Sequence, residues 1–239
     1  NSNKTFTVDP SNNLSYTSAY KIRVTTEVKD SAANALSSQW TTSIGFTTAW
    51  RTIQMGSSSA DFMHGITMDS SGNIYVSGHS QGGFDGNSNS GSGDIILVKF
   101  NSSGTKQWSK QLGGSADDRG MDVTIDGSGN VIITGFSYSD LDGNTNSGGM
   151  DAFVIKYNSS GTKQWSKLFG TSSFDQGYGI ATDSSDNIYL TGHTEGELDG
   201  QTNSGSNDIY LIKLNSSGTN QWTKLLGTSG QDWGEKVAT

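Results

Sequence analysis

Short apolar runs separated by clusters of Gly, Ser, Asn and Asp recur along most of the chain. Asn130-Val-Ile-Ile-Thr and Asp151-Ala-Phe-Val-Ile-Lys are two of them. They are rich in β-branched residues, too short for a helix, and bounded by turn formers, so they predict buried strands. No window shows a 3.6-residue period, and Gly or Ser-Ser interrupts every stretch longer than about ten residues. Helix content near zero is the expectation.

The pattern is periodic. Trp50, Trp108, Trp165 and Trp222 are spaced by 58, 57 and 57 residues. Each of the last three closes an Asn-Ser-Ser-Gly-Thr-x-Gln-Trp segment, beginning at Asn101, Asn158 and Asn215. Asp69-Ser-Ser-Gly-Asn73, Asp126-Gly-Ser-Gly-Asn130 and Asp183-Ser-Ser-Asp-Asn187 form a second recurrence. One unit reads as four strands, over residues 106–112, 120–125, 130–137 and 151–157. The two recurrent segments suit tight hairpin loops in which Gly takes a positive φ. Asp186 stands where that Gly is expected, a position that Asp tolerates better than most residues. Hairpin-linked units of four strands predict propeller blades.

These motifs resemble a known family. Trp-x-x-x-x-Gly, then a Gly-x-x-Val/Ile strand leading to Asp-x-Ser-Gly-Asn-Ile-Tyr-Val-x-Gly, then Asp-x-x-Leu/Val-x-Lys-x-Asn-Ser-Ser-Gly is similar to bacterial SBBP β-propeller repeats, roughly over residues 48–239. The resemblance implies a secreted or surface-exposed bacterial protein and supplies no catalytic residue. Residues 1–48 resemble the C-terminal half of a bacterial Ig-like domain, through the strand Tyr20-Lys-Ile-Arg-Val24, a turn at Lys29-Asp30 and a final Phe46-Thr-Thr48 strand. The family's turn carries Gly where this chain has Ala33.

The fold class expected is therefore all-β: about 3.4 four-stranded propeller blades over residues 49–239, preceded by a partial Ig-like sandwich over 1–48. Half a sandwich cannot bury a two-sheet core, and propellers close with typically four to eight blades. The expectation is a longer chain, or neighbouring subunits that supply strands, with filament growth as one form of such assembly.

Composition narrows the function. Ser, Thr, Asn and Gly account for 113 of 239 residues and only 16% are charged, which suits turn-rich β structure rather than a disordered polyelectrolyte. The net charge of −8, with 15 basic against 23 acidic residues, argues against nucleic acid as a partner. No apolar run approaches the roughly 20 residues that span a bilayer as a helix. Zero cysteine removes disulfides, thiolate zinc sites and Cys nucleophiles.

Three loops invite a calcium reading, because side-chain oxygens alternate along a Gly-rich segment. They carry Asp85, Asn87, Asn89 and Asp94; Asp142, Asn144, Asn146 and Asp151; and Asp199, Asn203 and Asp208. Gln201 replaces an Asn in the third, and the closing Asp falls at position ten rather than as a Glu at twelve. Asx-turns explain the same letters without metal. No cofactor is fixed by the sequence, and calcium is the one candidate, with affinity of about 10⁻⁴–10⁻³ M.

The recurrent Trp50, Trp108, Trp165 and Trp222 read as packing between blades, and their spacing resembles structural staples of quinoprotein and sialidase propellers. His79 and His193 share a column with Phe136, and His64 with Met121 and Tyr178, which reads as packing. Asp117-Asp118-Arg119 reads as a solvated loop. Lys99, Lys156 and Lys213 recur in the most apolar strand, so they either snorkel to an edge or pair with a repeated carboxylate such as Asp94, Asp151 or Asp208. Chemistry should break the repeat, and no such set is obvious along the chain.

The reading is a non-enzymatic, secreted or cell-surface module for adhesion, binding or extracellular assembly. Its partner is a protein or glycan surface, or another copy through strand addition. The alternatives are an enzyme with its active site in further blades, and a calcium-stabilised adhesin.

Overall fold

The computed structural model describes residues 53–239 and, before them, the backbone of four two-residue strands. These are β1 (Ala19–Tyr20), β2 (Arg23–Val24), β3 (Trp40–Thr41) and β4 (Phe46–Thr47). β1 pairs with β4 and β2 with β3, both antiparallel. The rest of the half-sandwich reading, and Trp50, lie outside the described residues. The chain divides into two compact units, Asn1–Gln54 and Met55–Thr239.

The second unit holds three four-stranded antiparallel sheets. Blade one is β5 (Asp61–Met68), β6 (Ile74–Ser80), β7 (Asp94–Phe100) and β8 (Lys106–Leu112). Blade two is β9 (Asp118–Ile125), β10 (Val131–Ser137), β11 (Asp151–Tyr157) and β12 (Lys163–Phe169). Blade three is β13 (Asp175–Thr182), β14 (Ile188–Thr194), β15 (Asp208–Leu214) and β16 (Asn220–Leu226). The single helical turn among the described residues is Leu198–Gly200.

The four strands expected in the second unit all exist, yet they do not share one sheet. The Trp108 strand pairs with Asp94–Phe100 and closes blade one, while blade two takes Lys163–Phe169 as its fourth strand. The sheets are thus one strand out of phase with the sequence unit. Sequence similarity cannot show where a hydrogen-bond ladder ends, because a repeated unit can be cut at any of its turns.

Turn chemistry follows the residues closely. Gly72 and Gly129 take φ of 77° and 79°, and Asp186 takes 62° in the third copy. In each turn the opening Asp carboxylate accepts hydrogen bonds from backbone amides two and four residues on, as Asp69 does from Ser71 and Asn73 at 2.9 Å. The Asn101, Asn158 and Asn215 turns repeat this with an amide oxygen.

Period-two alternation sends each strand's apolar residues to two neighbours. Tyr75, Ile95 and Leu97 of blade one pack against Val131, Ile133, Phe153 and Ile155 of blade two. Ile132, Ala152 and Val154, the alternate residues of blade two, pack against Ile188, Leu190, Tyr210 and Ile212 of blade three. Both middle strands of blade two are therefore buried throughout. Each full-sized apolar side chain so covered contributes about 1.5–3 kcal/mol.

Trp108 and Trp165 lie under the next blade's Asn-Ser-Ser-Gly turn. A Cβ on Gly161 would come within 3.0 Å of the Trp108 ring, and one on Gly218 within 3.2 Å of the Trp165 ring. Trp222 is partly exposed, at 38%, and sits 6.3 Å from Tyr189.

First strands pack on first strands, β5 on β9 and β9 on β13, so they form the inner wall of the array. Residues after β16 continue that wall. Gln231 bridges Asn207 in parallel, as Asp117 bridges Gly93 and Phe174 bridges Met150. Thr239 Oγ1 donates to the Thr182 carbonyl at 2.7 Å, as Thr182 Oγ1 donates to that of Ile125 at 3.0 Å.

The repeated lysines do not pair with Asp94, Asp151 or Asp208, which lie at the opposite end of their strands. Lys156 instead forms a buried ion pair with Asp126 at 2.8 Å. In blades one and three Tyr75 and Tyr189 occupy the column that Ile132 fills. Their hydroxyls donate to Asp69 and Asp183 at 3.3 and 3.1 Å, with Lys99 and Lys213 over the rings. Lys99 and Lys156 also donate to the Ser159 and Ser216 carbonyls of the following blade.

Asp94, Asp151 and Asp208 are buried at blade junctions. Each accepts an amide hydrogen bond through Oδ2, from Ser90, Ser147 and Ser204, while Oδ1 has no protein partner. A Cβ on Gly113 would lie 2.2 Å from Asp94 Oδ1 and 3.0 Å from Asp118 Oδ2, so two carboxylates flank that glycine. Burial pushes the Asp118 carboxyl up to about 6, and the nearby Asp94 and Asp117 carboxylates add to the rise against hydrogen bonds from Ser137 and Gly114. Asp94, Asp151 and Asp175 are also raised by burial.

A raised carboxyl stabilises the fold in its protonated form. That contribution is complete below the unfolded value near 4 and is lost as pH rises through about 6. Asp69 and Asp126, held low by turn and lysine hydrogen bonds that outweigh burial, act in the opposite sense below about 4. Melting temperature is expected to peak between about pH 4 and 6. Asp118→Asn should flatten the decline toward pH 8. A melting curve rising monotonically to pH 8 would contradict this.

Candidate functional site

Each inner strand carries one β-bulge, and it falls in the same place. The register slips between Met63 and Gly65, between Thr134 and Gly135 opposite Met121, and between Gly177 and Gly179. His64, Met121 and Tyr178 are the unpaired residues, released from the ladder and re-aimed. Opposite the bulge stands an obligatory glycine. A Cβ on Gly78, Gly135 or Gly192 would lie 1.8–1.9 Å from the carbonyl oxygen of Phe62, Arg119 or Gln176.

Around these bulges the repeat breaks. The column ahead of the bulge reads Phe62, Arg119, Gln176, Trp233; the bulge column reads His64, Met121, Tyr178, Glu235; the facing column of the second strand reads His79, Phe136, His193. The structure brings all three columns to one end of the inner wall, beside the long loops between second and third strands. Phe62 stacks on His79 with centroids 4.8 Å apart, and His79 stacks on His64 at 5.2 Å. The two imidazoles share a hydrogen bond, His64 Nε2 to His79 Nδ1, at 3.3 Å. Asp117 lies between blade one and Arg119: a Cβ on Gly93 would meet Asp117 Oδ1 at 2.4 Å and His79 at 3.8 Å. Arg119 donates to Asp117 Oδ2 from Nε at 2.8 Å and from the terminal nitrogen at 2.6 Å. Its guanidinium sits over Phe136 at 5.8 Å, and Phe136 meets Tyr138 edge-on at 6.2 Å. Tyr178 donates to Gln176 Oε1 at 2.5 Å and stacks on His193 at 5.6 Å. Trp233 lies 4.5 Å from His193.

The electrostatics of this end are muted. Burial holds His79 down at about 4, with Arg119 and His64 adding to the fall, and burial followed by Arg119 lowers His64. Burial lowers His193 as well. All three imidazoles are therefore neutral at pH 7, and the Arg119 charge is matched by Asp117. His193 Nδ1 and Asp117 Oδ1 are buried without a protein partner.

Reading His79 and His193 as packing residues captures their burial, at 3% exposure each, but not their place. Asp117-Asp118-Arg119, read as a solvated loop, divides between this end and the blade junction: Asp118 is fully buried.

The calcium-candidate residues lie along the same loops, engaged with protein groups. Asp85 binds Lys106 and Ser109, and Asp142 binds Lys163 and, at 2.5 Å, Ser166. Asp199 binds Thr223 and, at 2.8 Å, Asn220. All three aspartates adopt φ of 50–54°. Asn87 and Asn144 donate to the Phe84 and Leu141 carbonyls. Asn89, Asn146 and Asn203 bond the second-strand carbonyls of Ser80, Ser137 and Thr194 at 3.0–3.1 Å. Asp94, Asp151 and Asp208 cap the loop amides described above. Each loop's two carboxylates are thus engaged with different partners. Among the described residues no group of three or more His, Cys, Asp or Glu converges as a metal cluster.

At the other end of the inner wall, the turns opening at Asp69, Asp126 and Asp183 frame an open concavity of about 480 Å³. Their carboxylates are committed to their own turns and to Tyr75, Lys156 and Tyr189. Among the described residues no helix is long and apolar enough to cross a membrane.

Comparison with known proteins agrees with this architecture. The model of the SBBP β-propeller repeat matches residues 39–85, 107–142 and 164–199, and that of a bacterial Ig-like domain matches residues 1–48. The regulatory protein FlaEY of Caulobacter vibrioides is 25% identical over 157 residues, covering 59% of this chain and 16% of that protein. An uncharacterized WD repeat-containing protein of Acanthamoeba polyphaga mimivirus is 27% identical over 145 residues, covering 53% of this chain and 10% of that protein. The chain therefore spans a small part of the length of either relative. A crystal structure of a protein of unknown function from Bacteroides caccae aligns over 87% of this chain and 77% of its own, at 11% identity and a TM-score of 0.30.

Proposed function

The chain belongs to the SBBP β-propeller repeat proteins, with a bacterial Ig-like domain ahead of the repeats, and from that premise we propose that it is a non-catalytic extracellular binding module. One observation carries this reading. The Asx turns repeat with few changes, and a set of columns whose chemistry changes from blade to blade lies together at the loop end of the inner wall. A scaffold whose inner strands end in changing polar and aromatic side chains presents a surface there, and propellers use such ends to meet partners. The chemistry there suits contact rather than turnover. His64 and His79 bond and stack on each other, His193 stacks on Tyr178, and Arg119 is committed to Asp117.

The test is retention on intact surfaces. Labelled chain is layered on bacterial envelope preparations and on animal-cell monolayers, then washed. Retention is expected, with loss in the double variant Arg119→Ala, Trp233→Ala and no product released from the surface over time. Retention untouched by that variant would remove the loop end from the account. Time-dependent release of soluble fragments would turn the reading towards an enzyme.

Calcium enters as a subsidiary reading at one loop. In the third, Asn220 stands where Lys106 and Lys163 occupy Asp85 and Asp142, so a cation at Asp199 displaces no ammonium. A small melting shift at millimolar calcium, removed by Asp199→Asn but not by Asp142→Asn, is the expected result.

A further inference from the structure

Four aromatic side chains at the loop end are held partly in solvent. Phe62, Tyr138, Phe174 and Trp233 are 45%, 42%, 41% and 50% exposed. The backbone fixes two of them directly. Tyr138 N donates to the Asp117 carbonyl at 3.2 Å, the Phe174 carbonyl accepts from Glu195 N at 2.9 Å, and Phe174 lies in a bridge with Met150. Trp233 rests on the buried ring of His193. Between the rings stand planar hydrogen-bonding groups: the Arg119–Asp117 pair, Gln176, and the Tyr178 hydroxyl, whose ionisation burial and Glu235 oppose while Arg119 favours it.

We propose that this aromatic rim binds neutral carbohydrate, the inference resting on the binding-module reading above and naming its ligand class. Flat, partly exposed rings match the C–H faces of pyranose units. Interleaved amide, carboxylate, guanidinium and phenol groups match ring hydroxyls, which need donors and acceptors in the same plane. A polyanion gains nothing here, because the Arg119 charge is already neutralised and the chain carries a net charge of −8. A protein partner of ordinary size needs about 800 Å² of contact with a well-packed apolar centre. The rim instead consists of separated rings divided by polar groups, which suits an extended chain of sugar units. The buried Nδ1 of His193 and Oδ1 of Asp117, both without a protein partner, lie beneath it and leave hydrogen-bonding capacity in place.

Calorimetric titration of the whole chain tests the assignment, with maltohexaose, cellohexaose and chitohexaose as neutral probes and hexagalacturonate as the anionic one. At least one neutral hexasaccharide should bind with a sub-millimolar Kd and the anionic one at least tenfold more weakly. Tyr138→Ala and Trp233→Ala should each weaken binding about tenfold while keeping the parent melting temperature, and Trp222→Ala, on an outer strand, should leave it unchanged. Absence of binding by all three neutral probes, preference for the anionic probe, or insensitivity to Tyr138→Ala and Trp233→Ala would each overturn the assignment. Surface retention that persists when no neutral probe binds overturns the carbohydrate assignment and keeps the binding module. Neutral glycan binding without surface retention keeps the carbohydrate assignment and overturns attachment to the two surfaces tested.

Discussion

Alanine at Gly135 is expected to remove the cooperative melting transition. The added Cβ would lie 1.8 Å from the Arg119 carbonyl oxygen and 2.8 Å from its carbon, with Phe153 at 2.9 Å on the other side. Neither neighbour is the flexible end of a side chain, so the inner strand itself has to move. That strand carries the bulge at Met121 and packs against both neighbouring blades, which leaves it no slack. Overpacking a tight core costs typically about 1–3 kcal/mol, and displacement of a ladder backbone adds to that, against a total stability of about 5–15 kcal/mol. Gly129→Ala is the control. Its Cβ meets nothing within 4 Å, and only the φ of 79° opposes it, at a cost of about 1–2 kcal/mol. Circular-dichroism melts of the two variants decide the matter. A Gly135→Ala protein melting within a few degrees of the parent would disprove the close approach.

The second large effect is expected at Lys156. Its replacement by Met leaves Asp126, 4% exposed, without the ammonium that offsets its burial. Breaking a buried ion pair from one side costs about 3–5 kcal/mol. Lys99→Met in blade one removes a lysine of the same column, yet Asp69 keeps its bond from Tyr75, and the cost should stay near 1 kcal/mol. Asp126→Asn in the Lys156→Met background should recover much of the loss, since it removes the stranded charge and keeps the turn acceptor. Chemical denaturation of the parent, Lys156→Met, Asp126→Asn and the double variant gives the coupling, with Lys99→Met as the comparison. Equal losses from Lys99→Met and Lys156→Met would show that the Asp126 pair contributes nothing of its own.

The blade architecture was legible from Trp spacing, turn letters and apolar runs, because each reflects local backbone chemistry. Two of the four strand boundaries expected in one unit coincide with β8 and β11, and the other two differ by one or two residues at their N-terminal ends. The pairing of those strands was not legible. A turn motif states that the chain reverses, but it does not say which side of a gap carries hydrogen bonds. The Lys156–Asp126 pair was missed for a related reason. Its signal is the Tyr75, Ile132, Tyr189 column, in which the blade lacking a phenol is the one whose lysine reaches the carboxylate.

The loop-end cluster was also present in the letters. Phe62, Arg119, Gln176 and Trp233 are a column that changes at every step. What concealed it is the bulge, which adds one residue to the inner strand and defeats simple alternation, so that no periodicity marks these positions as sharing a surface. Interchange of His79 with Phe136 suggested packing, and burial agrees. Those buried rings support exposed ones.

The phase between sequence unit and sheet also bears on how such an array changes length. Residues 101–108 and 158–165 are the same eight letters, Asn-Ser-Ser-Gly-Thr-Lys-Gln-Trp, and they span the hairpin joining a blade's third strand to its fourth. Unequal recombination between the corresponding gene segments exchanges one copy of that hairpin for another. The product gains or loses 57 residues, yet the crossover falls inside an ordinary antiparallel hairpin whose two strands find the same partners as before. Blade number can therefore drift in steps of one with every ladder intact, while the columns that differ between blades are shuffled into new combinations at the loop end.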